Sequence, residues 1–324
     1  MAHGGQRLEV AVAEQENVRR ALAWALEKGH VSFGLELTTA MESFWVANNP
    51  REGIRWFQAF FEHPDAKAVT ADLRARALHA CGSATDIAGD DETAERSYEE
   101  SLALFEQLGD VRGRAELLHR LGIQALRRGD PERARELVVE SRELFESQED
   151  AWVRMWGQMQ TTGTLGAVAR DLGDDAHALE LIAKSAALAG NGDMPWWQAG
   201  MLAEHAAPLL RGGNLEEAEL TARESLTIAE QLHDRGGRVF GVGLLAVVAA
   251  ERGERERAGR LWGAVEDENV GAPLGGWLRH RESCEERIRE AAGPEFERGR
   301  AEGRASTLDE AIALALTPVA VRPE

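Results

Sequence analysis

Four residues in the first half of the chain have the side chains that acid–base chemistry needs: His79, Asp86, Glu116 and His119. Histidine exchanges a proton near neutral pH, and a nearby carboxylate orients the ring or holds the proton. Their spacing belongs to no established catalytic motif. No G-x-S-x-G places a serine at a strand-to-helix turn, and no H-E-x-x-H occurs. The four therefore stand as weak catalytic candidates, for cofactor-independent chemistry such as a cyclisation or isomerisation. A second group is His280 and Cys284, four residues apart and so able to share one helix face. Two donors make half a zinc site, and no C-x-x-C supplies the other half. The expected role of this pair is packing or surface, with no metal and no other cofactor. The many paired carboxylates are expected to be solvated helix faces.

Composition narrows the function classes. The chain has 324 residues, is 44% hydrophobic and carries a net charge of −19. So negative a surface repels phosphate backbones and argues against direct nucleic-acid binding. No run of 18 apolar residues is present, so no membrane-spanning helix is expected. Residues Met1 to Gln6 show neither the charged nor the apolar region of a signal peptide. Cys81 and Cys284 are too few and too far apart for a disulfide framework, which fits a reduced, cytoplasmic setting.

The elements that must position these residues follow a repeat. A Gly, an acidic or amide residue, and an Ala five positions after the Gly recur as Gly89-Asp90 with Ala94, Gly129-Asp130 with Ala134, Gly173-Asp174 with Ala178, Gly213-Asn214 with Ala218, and Gly253-Glu254 with Ala258. The steps are 40, 44, 40 and 40 residues, and Ser101, Ser141, Ser185 and Ser225 keep the same beat. Gly ends one helix in a left-handed conformation. The residue after it caps the next helix, and the small Ala lets that helix come close to the first. Pro131 suits a first helical turn. Leu137, Val138, Ser141, Leu144 and Phe145 mark a buried helix face. Each hairpin leaves apolar faces that only a neighbour can cover, so the hairpins stack into an all-α solenoid with a period near 40. Residues 71–270 hold the regular hairpins. Residues 1–70 form an N-terminal helical cap and first hairpins, with helices at Glu14–Glu27, Phe33–Ala47 and Arg51–His63 and a break at Asn48-Asn49-Pro50. Residues 271–324 leave the period at Gly271-Ala272-Pro273. They read as capping helices near Trp277–Ala292, Pro294–Glu302 and Thr307–Leu316, followed by a loose tail.

The hairpin with Gly122 seven residues before Gly129 and Ala134 after it resembles the tetratricopeptide repeat, in a longer variety than its usual period of about 34 residues. That variety is similar to the sensor arms of large bacterial regulators of the MalT and LuxR type, in the signal-transduction ATPase class. The segment EQENVRRALAWALEKG (14–29) looks like the helix that follows their ATPase part. RLWGAVED (260–267) and FERGRAEGRASTLDEAIALAL (296–316) look like their ending. No G-x-x-x-x-G-K-[ST] occurs, and no helix-turn-helix follows Leu316, so the chain looks like the sensing arm without the motor or the DNA reader. The resemblance implies a bacterial module that binds an inducer or a partner protein.

In such repeats the first helix of each hairpin lines the inner groove. Projected there are Arg76, His79, Ser83 and Asp86, then Glu116 and His119, then Trp156, Gln160, Gly163 and Arg170, then Trp196, Gly200 and Ala203, then Phe240 and Gly243. Glycine in a helix interior costs about 1 kcal/mol, so Gly163, Gly200 and Gly243 read either as space kept open or as close packing. Trp152, Trp156, Trp196 and Trp197 gather in the same stretch with several methionines. They read either as wedges between hairpins or as the wall of a cavity for an apolar or ring-containing ligand. The expected ligand contacts are Arg76, His79, Glu116, His119, Trp152, Trp156, Gln160, Trp196, Trp197 and Phe240. The occupant is a small molecule in one reading and a peptide or helix of a partner protein in the other.

Overall fold

A computed structural model of the chain describes residues 4–268, 270 and 276–317. Every regular element among them is helical. The chain divides into two compact units, Met1–Gly157 and Gln158–Glu324. The first contains α1 (Gly4–Glu27), α2 (Val31–Ala40), α3 (Glu42–Asn48), α4 (Pro50–Glu62), a 3₁₀ turn at Pro64–Ala68, α5 (Ala71–Ile87), α6 (Asp91–Leu108), α7 (Val111–Arg127) and α8 (Pro131–Glu146). The division falls inside α9 (Ala151–Asp171). The second unit continues with α10 (Asp175–Asn191), α11 (Pro195–Arg211), α12 (Leu215–Gln231), α13 (Arg235–Glu251) and α14 (Arg255–Gly263). It ends with α15 (Gly276–Glu290), α16 (Pro294–Ala305) and α17 (Leu308–Leu316).

The recurring phrase acts locally as its chemistry requires. Gly89, Gly129, Gly173, Gly213 and Gly253 all have φ between 76° and 85°, the left-handed region in which glycine carries no Cβ penalty. Asp90, Asp130 and Asp174 each accept a hydrogen bond from the backbone N–H three residues on. Asn214 and Glu254 do not cap: Asn214 donates to the Glu217 carboxylate at 2.6 Å, and Glu254 pairs with Arg257 at 3.7 Å. All five phrase alanines are fully buried. The serine beat has a cause that periodicity alone does not show. Ser101, Ser141, Ser185 and Ser225 donate to the carbonyls of Ala75, Ala115, Met159 and Ala199, each 26 residues earlier, at 2.7–2.8 Å. Each serine thus ties the second helix of a hairpin to the first.

The N-terminal helices differ from expectation at two points, the first being that the helix expected from Glu14 begins at Gly4. The helix expected over Phe33–Ala47 is broken at Met41, and the Trp45 indole reaches back across the break to donate to the Thr38 carbonyl at 3.0 Å. Arg19, within the first family-like segment, clamps Glu52 of α4 through two hydrogen bonds of 2.7 and 2.8 Å.

At the other end, the two ending-like segments are partners. Gly259 and Gly263 of α14 face Gly299 and Gly303 of α16, one turn apart on each helix. A Cβ on any of the four would run into the facing backbone, so the helices meet main chain to main chain. α17 begins with a full capping box, Thr307 with Glu310. The junction Gly271-Ala272-Pro273 and the tail from residue 318 on lie outside the described residues.

Helix α15 is not a simple end cap. It lies against α11 and α13, the first helices of their hairpins, and meets the end of α9 within the second unit. Trp277, His280, Cys284 and Ile288, spaced three and four apart, form its buried face.

Candidate functional site

Within the first unit, α5 and α7 run side by side with matching polar rows. His79, Ser83 and Asp86 lie along one face of α5, and Glu116, Arg120, Gln124 and Arg127 lie along one face of α7. Contacts at both ends fix the pairing. His79 Nδ1 stands 3.9 Å from Glu116 Oε2. Asp86 receives Arg127 and, at 3.4 Å, the Gln124 amide. Ser83 and Arg120 therefore face each other midway, over Tyr98 of α6, whose ring meets His79 edge-on at 6.1 Å. Gly82 makes room for that ring, because a Cβ there would touch Tyr98. Glu42 of α3 adds its charge to the same field.

The cluster is buried yet under-satisfied. His79 Nε2, Ser83 Oγ, Tyr98 OH and Gln124 Oε1 are all shielded from solvent with no hydrogen-bond partner of good geometry. Ser83 is the hydroxyl next to Tyr98. Tyr98 is fully buried, and Ser83 and Gln124 nearly so. Such atoms cost about 1–3 kcal/mol each when left unpaired. Burial lowers the His79 pKa, with Glu42 and Glu116 opposing, so the ring is neutral at pH 7. A neutral ring has one donating and one accepting nitrogen; Nδ1 stands toward the Glu116 carboxylate beyond hydrogen-bond distance, and Nε2 has no partner. Burial also pushes the Tyr98 hydroxyl up, so it stays protonated.

The other expected contacts are distributed differently. Arg76 is exposed and turned back onto Asp72 at 2.8 Å. His119 is buried in α7. Trp152, 41% exposed, stacks on the half-buried Trp156, which meets Phe145 edge-on, all within the first unit. Gln160 is half-buried in the second unit. There Trp197 is buried and donates to Ser185 Oγ at 2.9 Å, a packing role, while Trp196 is exposed. Phe240 is not open to a groove: His280 of α15 stacks on it at 5.1 Å.

The small inward residues resolve one by one. Gly243 is a notch filled by the Trp277 ring, and Gly163 accommodates Met201 and Ser185. Only at Gly200, of these three glycines, would a Cβ meet nothing within 4 Å. Gly200→Ala is accordingly expected to raise stability by up to about 1 kcal/mol, read as a higher urea midpoint with an unchanged slope.

Under α15, Arg170, Glu204 and His280 form a buried triad. His280 Nε2 lies 2.9 Å from Glu204 Oε2, which also receives Arg170. Burial opposes the Glu204 charge, but His280 and Arg170 outweigh it and hold the carboxyl down to about 2. His280 is thereby engaged with Glu204 and not with Cys284, which lies in the apolar core with Ile288. Cys81 and Cys284 are free thiols whose burial pushes them up to about 11 and about 12, so neither is a ready nucleophile. Among the described residues no helix is long and apolar enough to cross a membrane.

Sequence reasoning placed His79, Asp86 and Glu116 here but missed Glu42, Tyr98, Arg120 and Gln124. Arg120 and Gln124 had a usable signal, one and two turns beyond Glu116 on the same helix face. Tyr98 had none, because it rises from the second helix of its hairpin.

No family model matches the chain. Over 78 residues, 22% of the chain, it is 41% identical to HTH-type transcriptional regulators of Mycobacterium bovis and Mycobacterium tuberculosis. The chain spans only 9% of the length of those proteins. Among solved structures, a Rap protein complexed with competence and sporulation factor is similar over 95% of this chain and 99% of its own, with a TM-score of 0.59 at 12% identity. A signal-transduction ATPase with a tetratricopeptide repeat sensor from Pyrococcus horikoshii is similar over 87% of this chain and 43% of its own, with a TM-score of 0.56 at 17% identity. At these identities the likeness is one of fold, and the fold is an all-α, tetratricopeptide-like array of helical hairpins.

Proposed function

We propose that the chain is a binding module of the sensor kind, related to the arms of transcriptional regulators, and that its ligand or partner segment lies on the inner face of the first unit. One observation carries this reading: the polar seam of α5 and α7 leaves buried donors and acceptors unpaired on that face. In the second unit the corresponding face of α11 and α13 is already covered by α15. The exposed Trp152, stacked on the half-buried Trp156 in the first unit, offers a platform for an apolar or ring-containing part of the occupant. The short match to HTH-type regulators supports the lineage.

A second reading, an adaptor that accepts a partner helix, is favoured by α15 itself, since an amphipathic helix is what the second unit seats on its own inner face. Both readings predict the same surface. Peptides selected from a displayed random library, and metabolites found by thermal shift, are expected to bind His79→Ala at least about tenfold more weakly than the native chain in calorimetry. Equal affinity for the two proteins would contradict the proposal.

A further inference from the structure

The middle of the α5–α7 seam carries one cation, Arg120, that shares its field with one anion, Glu42 of α3. The neighbouring charges are matched: Asp86 with Arg127, and Glu116 with Arg112 at 2.8 Å. Among the described residues the side chains of Arg120 and Glu42, both half-buried, form no hydrogen bond or close ion pair, although they share one electrostatic field with Tyr98, Asp86 and Glu116. An occupant of net charge would leave one of them uncompensated. The free hydrogen-bonding groups are likewise mixed. The unpaired buried atoms are His79 Nε2, the Ser83 and Tyr98 hydroxyls, which donate or accept, and the accepting Gln124 Oε1; the half-buried Arg120 beside them can only donate. The matching ligand group is neutral, compact, and presents an acceptor beside an N–H donor.

We propose that this seam is an amide-reading subsite, in which Arg120 and Tyr98 donate to the amide oxygen and His79 Nε2 accepts from its N–H. This rests on the reading of the first unit's inner face as the binding surface, and it names the chemistry read there. Ser83, the hydroxyl next to Tyr98, adds a further donor or acceptor to the same group. Glu42 balances the Arg120 charge, so that neither a free carboxylate nor a free ammonium is preferred. A primary carboxamide and a peptide bond both fit, differing in whether one or two N–H groups are offered.

The test uses four small probes on the full chain: acetamide, N-methylacetamide, acetate and methylammonium. The readout is the His79 ring resonances in NMR titrations. One or both amides are expected to shift those resonances saturably. Preference for acetamide would identify a carboxamide reader, and preference for N-methylacetamide a peptide-bond reader. Tyr98→Phe and Arg120→Leu are each expected to weaken the shift about tenfold; two variants are used because either one alone could disturb folding. No amide response, or acetate or methylammonium binding as tightly as the amides, would overturn the proposal. The amide result is independent of whether library peptides bind. Selected peptides that depend on His79 while amides fail would retain the binding face and reject the amide reading.

Discussion

Gly299→Val is expected to destabilise the second unit by about 3 kcal/mol or more, at the upper end of overpacking penalties. The reason is geometric. The new Cβ would strike the Glu256 carbonyl, and Gly259, Gly263 and Gly303 leave no slack in the same crossing. Backbone cannot rotate away as a side chain can, so α16 must lift from α14. Phe296, buried at this contact, would lose its cover. Gly293→Ala is the control. It lies just before α16, its backbone is extended, and a Cβ there meets nothing within 4 Å. It is expected to change stability by no more than about 0.5 kcal/mol. Urea unfolding of both variants gives the comparison, and equal midpoints would contradict the packing described.

Glu204→Ala is expected to cost about 3–5 kcal/mol, because it strips a buried Arg170 and His280 of their shared partner. The pH dependence has a definite sign. The folded-state pKa of Glu204 lies below its ordinary value, so its contribution is full above about 4.5 and is lost as the pH falls toward about 2. The difference in Tm between the native chain and Glu204→Ala is therefore expected to be constant from pH 7 down to about 5 and to shrink below that. A gap that widened in acid would contradict the assigned charge state. Because His280 belongs to α15 and Glu204 to α11, the same substitution is expected to loosen α15, seen as faster hydrogen exchange along that helix.

These two substitutions fall where sequence and structure part company. The hairpins were legible because their signals are local: a left-handed Gly, an aspartate cap and a small Ala each act within a few residues. The serine beat was visible as a rhythm, but its cause is a hydrogen bond across 26 residues. The seat of α15 was not legible. Trp277, His280, Cys284 and Ile288 share one helix face by their spacing, but nothing in that spacing says which surface they cover. That long-range contact decides the fate of Phe240 and Gly243, which periodicity alone leaves facing an open groove. In the candidate site, His79, Asp86 and Glu116 followed from helix phase. Glu42 and Tyr98 arrive from neighbouring elements and have no shared period with the rest.

The occupant is proposed to meet α5 and α7 of the first unit, because α15 already lies on α11 and α13 in the second. Hydrogen exchange of the full chain, with and without a library-selected binder, tests this placement most directly. Slower exchange along α5 and α7 is expected on binding, with α11, α13 and α15 unchanged. Slower exchange in α11 and α13 together with faster exchange in α15 would show the binder displacing the chain's own helix, and would contradict it.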